Sequence, residues 1–425
     1  MQGDTKRLRE LIFERSQRLR EGDVLPVVSV TNHNGIQLAS ETFSRQVYSR
    51  ELTNYKVIKP GWYAFNPSRV NVGSLARNNL GYDVCASPMY TVFECTSPEV
   101  VADYLDAFLT SSRFTERVAA NLQGSVRDAL SFDALQTFPI HLPPISEQHA
   151  VAEVLGKIEG TITKTEALIA VLAEAKHATM RALLTHGIRP EKASMKPLPA
   201  RWVLGRVAEG ITHIPADWDL VTLTKVAKLE SGHTPDRKEP TYWDGNIPWI
   251  SLQDADALTK VTISESAETI GPLGLANSSA RMLPAGTVVL QRTANVGLAS
   301  VMGREMCTSQ HFANWICGNK LDPYYLQQVF RHMSREWGRL VAGSVLPDIY
   351  MGTFKALQIL LPPLEEQKKI GEVGVAFDTR IEEERGALGV LNKNRAALAQ
   401  ELLSGRVRLP DSVIARHRDK AGQAA

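Results

Sequence analysis

The chain has no long apolar run, no excess of either charge and few cysteines, and each lack removes a class of protein. None of its 425 residues lies in a run approaching 18 uninterrupted apolar residues, so no helical membrane span is predicted. The opening Met1-Gln2-Gly3-Asp4-Thr5-Lys6-Arg7 lacks the apolar core of a secretory signal, which predicts a cytoplasmic protein. Lys and Arg number 48 and Asp and Glu 46, a net charge of +2, and no segment is a basic block. A nucleic-acid partner would therefore be held by local patches or by another subunit. Apolar residues still make up 44% and charged residues only 22%, the balance of a folded chain of roughly two to four domains.

The four cysteines form two pairs, Cys85 with Cys95 and Cys307 with Cys317, each ten apart, and the pairs differ by 222. Structural zinc prefers closer ligands, with roughly two to four residues between them. An even spacing puts both sulfurs on one face of an extended strand, so buried apolar cysteines are expected. A reducing compartment disfavours disulfides.

Catalytic signatures are missing too. A methyltransferase would show a glycine-rich cofactor loop and an Asn/Asp-Pro-Pro-Tyr/Phe turn. Asn66-Pro67-Ser68-Arg69 lacks the second Pro and the aromatic, and Leu142-Pro143-Pro144 lacks the Asn. No Walker-type phosphate loop occurs. Pro235-Asp236 and Pro347-Asp348 begin like a nuclease signature, but Glu174-Ala175-Lys176 lies on a predicted helix of the other half, so loop prolines before turn-forming Asp are the simpler account. No paired-His metal pattern appears, and the chain is expected to be neither an enzyme nor a metal binder.

What is present is a repeat. Leu142-Pro143-Pro144-Ile145-Ser146-Glu147-Gln148 returns 219 residues later as Leu361-Pro362-Pro363-Leu364-Glu365-Glu366-Gln367. The register holds without a gap from Gly124-Ser125-Val126 against Gly343-Ser344-Val345 through Leu183-Leu184 against Leu402-Leu403. Upstream, with small gaps, Asn71-Val72-Gly73 answers Asn295-Val296-Gly297, and Tyr104-Leu105 answers Tyr325-Leu326. Such a period marks a domain duplication, not a solenoid.

Each copy reads as a mixed domain followed by a long helix. Residues 4–20 look helical and charged, 24–95 mostly β, 98–121 helical; in the second copy 218–317 are mostly β and 323–340 helical. Residues 146–184 contain no Pro, and their apolar positions recur every three or four places: Val151, Leu155, Ile158, Ile162, Ile169, Leu172, Leu183. The matching places hold Ile370, Gly374, Phe377, Ile381, Leu388, Leu391 and Leu402. This is a coiled-coil stripe, with Ser146 as N-cap, on a helix about 58 Å long. One such stripe alone would expose too much apolar surface, and pairing the two copies is the simplest remedy. Equivalent domains at equivalent helix ends become pseudo-two-fold partners only if the helices run antiparallel. The fold class expected is thus α+β: two duplicated mixed α/β domains separated by a long antiparallel two-helix coiled coil. Thr165, Lys176, Glu384 and Arg395 interrupt the seam; register selection, contact with a partner helix and exposed stripe ends all account for them, the last most simply.

With chemistry absent, binding remains. The β-rich parts carry polar and basic residues beside glycines and prolines: Arg69, Asn71, Arg77, Asn78, Asn79 and Arg127 in the first copy, and Arg237, Lys238, Gln291, Arg292, Asn295, Gln310 and His311 in the second. Arg suits guanine edges and phosphates, and Asn and Gln suit adenine edges. Ser125 and Ser344, in the repeated Gly-Ser loop, are candidate phosphate contacts or simply tight turns. Tyr242, Trp243 and Trp249 read as core or domain-edge packing.

These features together resemble the specificity subunit of type I restriction-modification systems. The resemblance rests on Leu-Pro-Pro-x-x-Glu-Gln before each long helix, Gly-Ser-Val ahead of it, Ile214-Pro215-Ala216-Asp217-Trp218, Asn246-Ile247-Pro248-Trp249-Ile250 and the closing Leu402-Leu403-Ser404-Gly405-Arg406. It implies target-recognition domains at residues 1–141 and 218–360, spacer helices at 142–187 and 361–406, a linker at 188–217 and a tail at 407–425. Each domain would read one half of a bipartite site on double-stranded DNA. The spacer would set the gap and dock two methyltransferase subunits, with Glu147, Gln148, Ile162, Leu172, Glu366, Gln367, Ile381 and Leu391 as its contacts. S-adenosylmethionine, ATP and Mg would belong to those partners and to motor-nuclease subunits, and this chain would bind no cofactor. The Ile-Pro-x-x-Trp entry is missing from the first copy, which puts its boundary strands in doubt, and residues 410–425 look like a loose polar tail. The alternatives are the recognition subunit of another phage-defence methylation system, a fused methyltransferase or nuclease, or a structural adaptor.

Overall fold

A computed structural model describes residues 3–31, 35–42, 51–122, 129–188, 194–198, 202–342 and 346–418. The chain divides into two compact units, residues 1–164 with 388–425 and residues 165–387, so the division runs through both long helices. Among the described residues no helix is long and apolar enough to cross a membrane.

The first unit is built on an antiparallel four-stranded sheet in the order Ile12–Glu14, Thr91–Cys95, Tyr63–Phe65, Leu75–Arg77. Tyr63 and Phe93 stack at 5.0 Å beneath helices Ala102–Leu109 and Ser112–Leu122, which add Tyr104, Phe108 and Phe114 to one core. The single helix expected over 98–121 is broken because Thr110 and Ser111 turn their hydroxyls back onto the Asp106 and Phe108 carbonyls at 3.0 and 2.7 Å.

Residues 4–20 are not a helix. Asp4–Arg7 is a strand paired antiparallel with Pro139–Leu142, and a turn at Leu8–Glu10 leads into the sheet strand Ile12–Glu14. Leu8, Leu11 and Ile12 are fully buried by this route. The helical spacing was outweighed by a strand partner about 130 positions away. The second unit opens in the same way, with Asp219–Thr222 paired to Gln358–Leu361 and a turn at Leu223–Lys225. The first boundary strand is therefore present without the Ile-Pro-x-x-Trp entry.

The second unit carries a five-stranded sheet in the order Ala227–Ser231, Phe312–Cys317, Val288–Gln291, Ala299–Met302, Thr262–Ile263. Its first four strands follow the order found in the first unit. A three-stranded sheet, in the order Glu268–Ile270, Ile247–Ile250, Cys307–Thr308, is formed by strands that alternate in sequence with those of the larger sheet. The helical stretch expected over 323–340 is two helices, Pro323–His332 and Ser334–Val341. Trp315, Phe330 and Trp337 centre a core that also takes in Trp218.

The cysteine pairs do not share one strand: Cys85 lies on Val84–Ala86 and Cys95 on Thr91–Cys95, while Cys307 and Cys317 lie on two others. All four are free thiols. Burial pushes Cys85 and Cys307 up to about 11 and Cys317 up to about 12, away from thiolate chemistry.

The long helices are Ile145–His186 and Leu364–Leu403. The first starts one residue before Ser146, whose expected capping role is replaced by the Pro144 carbonyl accepting from the Glu147 and Gln148 amides. In the first unit Val151 and Leu155 share a core with Ala399, Leu402 and Leu403, and Glu159 pairs with Arg395 at 2.5 Å. In the second, Met180 and Leu184 share a core with Ile370, and Lys176 pairs with Asp378 at 2.6 Å. Within each unit the residue numbers rise on one segment as they fall on the other, an antiparallel order. Among the described residues of the tail, Asp411–Ile414 is a helical turn with Ile414 buried, in place of the loose segment expected there.

Candidate nucleic-acid interface

The repeated Glu-Gln motif turns inward. Gln148, 1% exposed, donates its Nε2 to the Glu99 and Pro143 carbonyls at 2.8 and 2.9 Å and accepts the Val101 amide on Oε1 at 2.9 Å. Gln367, fully buried, does the same with the Lys320 and Pro362 carbonyls and the Asp322 amide, at 3.0, 2.8 and 2.9 Å. Each Gln ties the start of a long helix to the segment that leads into the domain helix. Tyr104 and Tyr325 brace the same corner by donating to the His141 and Leu360 carbonyls, both at 2.8 Å. Glu147 and Glu366 are also buried, the first accepting from Arg408 at 2.9 Å and the second from the Trp218 indole at 2.9 Å and the Ile188 amide at 3.1 Å. These four residues therefore clamp the helix starts and offer no surface to a partner. Ile162 and Ile381 are buried, and Leu172 and Leu391 are half-buried, consistent with stripe positions.

The DNA candidates sort by what their side chains already hold. In the first unit Arg77 pairs with Asp103 and Asp106 at 2.5 and 2.8 Å, and Asn78, 1% exposed, bonds the Ile58 and Tyr82 carbonyls and the Leu80 amide. Both stabilise the domain and neither is available to bases. Arg69 and Asn71 are exposed on the turn Val70–Val72, which ends in Gly73 at φ 95. Ser125, Arg127 and Ser344 lie outside the described residues.

In the second unit Arg292 is occupied by Asp348 and by the Ile349 and Gln310 carbonyls, at 2.7, 2.9 and 3.0 Å. His311 sits beside it with a lowered pKa, first from burial and then from the Arg292 charge, opposed by Asp348. Arg237 lies 3.7 Å over the Trp243 ring and 5.1 Å from that of Trp249, with both guanidinium nitrogens on Glu268 at 2.5 and 2.8 Å. Trp249 is a core residue that bonds the His233 carbonyl, while Trp243 is the half-buried plate for the guanidinium. Next to it Lys238 is exposed, and the exposed Gln310 accepts from Thr234 at 2.5 Å. Asn295 is exposed on a loop that closes with Gly297 at φ 100.

Sequence reasoning missed Asp378, Glu159 and Arg408, and took Trp218 only as part of the Ile-Pro-x-x-Trp entry. The first two were signalled by lying 219 apart in the repeat; nothing local signalled Trp218 or Arg408 as partners of Glu366 and Glu147.

Residues 215–391 match the family model described as "Type I restriction modification DNA specificity domain". The chain is 31% identical over 195 residues to the type I restriction enzyme MjaIX specificity subunit of Methanocaldococcus jannaschii, 45% of each chain. It is 25% identical over 279 residues to the putative MjaX specificity subunit of the same organism, 65% of this chain and 60% of that one. The match thus spans about half the length of these two relatives. With the HindI specificity subunit of Haemophilus influenzae, identity is 18% over 412 residues, 83% of this chain and 88% of the other. Among solved structures, the type I restriction-modification S subunit of M. genitalium aligns with a TM-score of 0.58 at 11% identity, covering 94% of this chain and 96% of that one. A chain solved in a study of complex assembly and conformational transition of the type I R-M system gives 0.51 at 18%, covering 95% and 97%. These structural likenesses are likenesses of fold.

Proposed function

We propose, from the match of residues 215–391 to the type I restriction-modification DNA specificity model and the likeness to specificity subunits, that the chain is such a subunit, that it reads a bipartite double-stranded DNA site, one half with each unit, and that it holds the methyltransferase subunits that modify it. The observation that carries this reading is the form of the helix seam. Glu159 and Asp378 are equivalent positions of the repeat, 219 apart, and so are Lys176 and Arg395. Each acid pairs with the base of the other copy. A two-fold contact has this reciprocal form. Lys176 stands 17 residues after Glu159 and Asp378 stands 17 before Arg395, the equal spacing that a single antiparallel register requires. Of the three accounts of the polar seam positions, register selection is the one these pairs support for Lys176 and Arg395. A spacer locked in one register admits one separation of half-sites, and tethering gives the second half-site a high effective concentration once the first is bound.

Readout would fall to Arg69 and Asn71 in the first unit, and to Lys238 and Gln310 beside the stacked Arg237 in the second. With so small a net charge, few phosphates are neutralised by this chain alone, and much of the salt-dependent affinity would come from its partners. Those partners would bring S-adenosylmethionine to methylate adenine, and motor-nuclease subunits would bring ATP and Mg; this chain recognises and does not catalyse.

Co-expression with a cognate methyltransferase subunit, followed by mapping of modified adenines, tests the reading. The expected product is a two-part motif. Removing four residues, about one turn, at facing positions of both long helices should change the gap and leave both half-sites intact. An undivided motif, or half-sites altered by that deletion, would overturn it.

A further inference from the structure

Leu346 and Tyr350 are each 78% exposed, among the most exposed large apolar side chains described. The segment that displays them is braced. Asp348 accepts from Arg292 and Thr293, both at 2.7 Å, Pro347 accepts the Ala294 amide at 2.8 Å, and the buried Ile349 donates its amide to the Arg292 carbonyl at 3.0 Å. Ala294 is held at φ 63, the single non-glycine residue in the left-handed region among those described. Strain of this kind persists only where surroundings over-determine it, and it gathers at functional sites.

Beside the braced loop is a cavity of about 630 Å³ with Val296, Trp337, Val341 and Pro347 among its apolar lining. Its two charged lining residues are both cations, Arg331 and Arg385. Arg331 is held by Asp378 at 2.8 Å and by the Ala299 carbonyl. Arg385 is exposed and makes no ion pair among the described residues. An apolar floor, one available cation and two protruding anchors on a rigid support are the parts of a protein–protein hot spot, and the bracing lowers the ordering cost of binding. DNA would call for several available cations, and the cavity lining supplies one.

We propose that this face of the second unit is a docking pocket for a protein partner that presents a carboxylate flanked by apolar side chains, the carboxylate meeting Arg385 and the apolar groups meeting Leu346, Tyr350 and the cavity floor. The inference rests on the reading above that this chain holds methyltransferase subunits, and it moves one of their contacts away from the Glu-Gln clamps.

The test titrates a cognate methyltransferase subunit, and separately a duplex carrying the mapped site, onto the full chain, onto the L346A/Y350A double variant and onto R385E. The expected result is partner binding at least tenfold weaker for both variants, with unchanged thermal unfolding and unchanged duplex affinity. A carboxylate-to-lysine change on the partner should restore binding to R385E. Unchanged partner affinity overturns the pocket and leaves the function standing. Weakened duplex binding in the absence of partner assigns the face to DNA and overturns it as well. A wild-type chain that binds no methyltransferase subunit overturns both this inference and the docking role on which it rests.

Discussion

In the second unit Glu366 accepts from the fully buried Trp218 indole and from the Ile188 amide; in the first, the equivalent Glu147 accepts from Arg408, whose side chain is 56% exposed. The seam differs in the same direction. Asp378 is shared by Lys176, Arg331 and Gln328, with Lys176 and Asp378 only 16% and 14% exposed, whereas Glu159 and Arg395 are 52% and 29% exposed. The repeat kept the acid in each place and changed what answers it. The second unit supplies a buried donor, Trp218, from its own opening and an amide, Ile188, from the linker; the first is served by the tail. One motif thus carries one geometry and two different energies.

The largest break in this symmetry should come from Asp378→Ala. It strands Lys176 and Arg331 in a largely buried site and should cost about 3–5 kcal/mol, whereas Glu159→Ala should cost under about 1 kcal/mol; urea unfolding of the two variants checks the contrast, and equal losses would erase it. Gln148→Leu and Gln367→Leu should each cost about 2–3 kcal/mol by leaving buried backbone groups unpaired. Here the expectation is equality, because the two clamps match bond for bond, and a twofold disparity would show that only one of them matters.

Acid should sharpen the difference. His332, its ring 4.8 Å from that of His177, is held down to about 4 by burial, then by His177, Lys176 and Arg181. The unfolded chain, near 6.5, binds the proton that the folded chain refuses, so stability is full above 6.5 and falls as pH drops toward 4. Denaturation followed across that window should show the loss, and His332→Gln should flatten it. The smallest effect belongs to Arg408→Ala, whose unfolding midpoint should stay close to wild type while that of Trp218→Phe falls measurably.

The repeat, the long helices and the strand-rich character of each copy were legible because they are periodic or recur in the sequence. Residues 4–20 misled because Leu8, Leu11 and Ile12 have helical spacing, and the partner that makes the segment a strand, Pro139–Leu142, is remote. The polar candidates were legible as a class, but not by role. Asn78 and Arg292 look like Asn71 and Lys238 in sequence, and only the surrounding carbonyls and carboxylates decide which side chains are already taken. Likewise Glu-Gln looked like a surface motif because both residues are polar; its partners are mostly backbone groups, which composition does not register.

The seam has one more consequence. A single copy of the repeat already contains one acid and one base of the seam, Glu159 and Lys176, and each meets its opposite across the seam. A truncated gene ending after the first long helix would encode a polypeptide able to zip against its own twin, acid to base and base to acid. Such a homodimer would carry one ion pair twice over, related by an exact two-fold axis in place of the approximate repeat of the full chain.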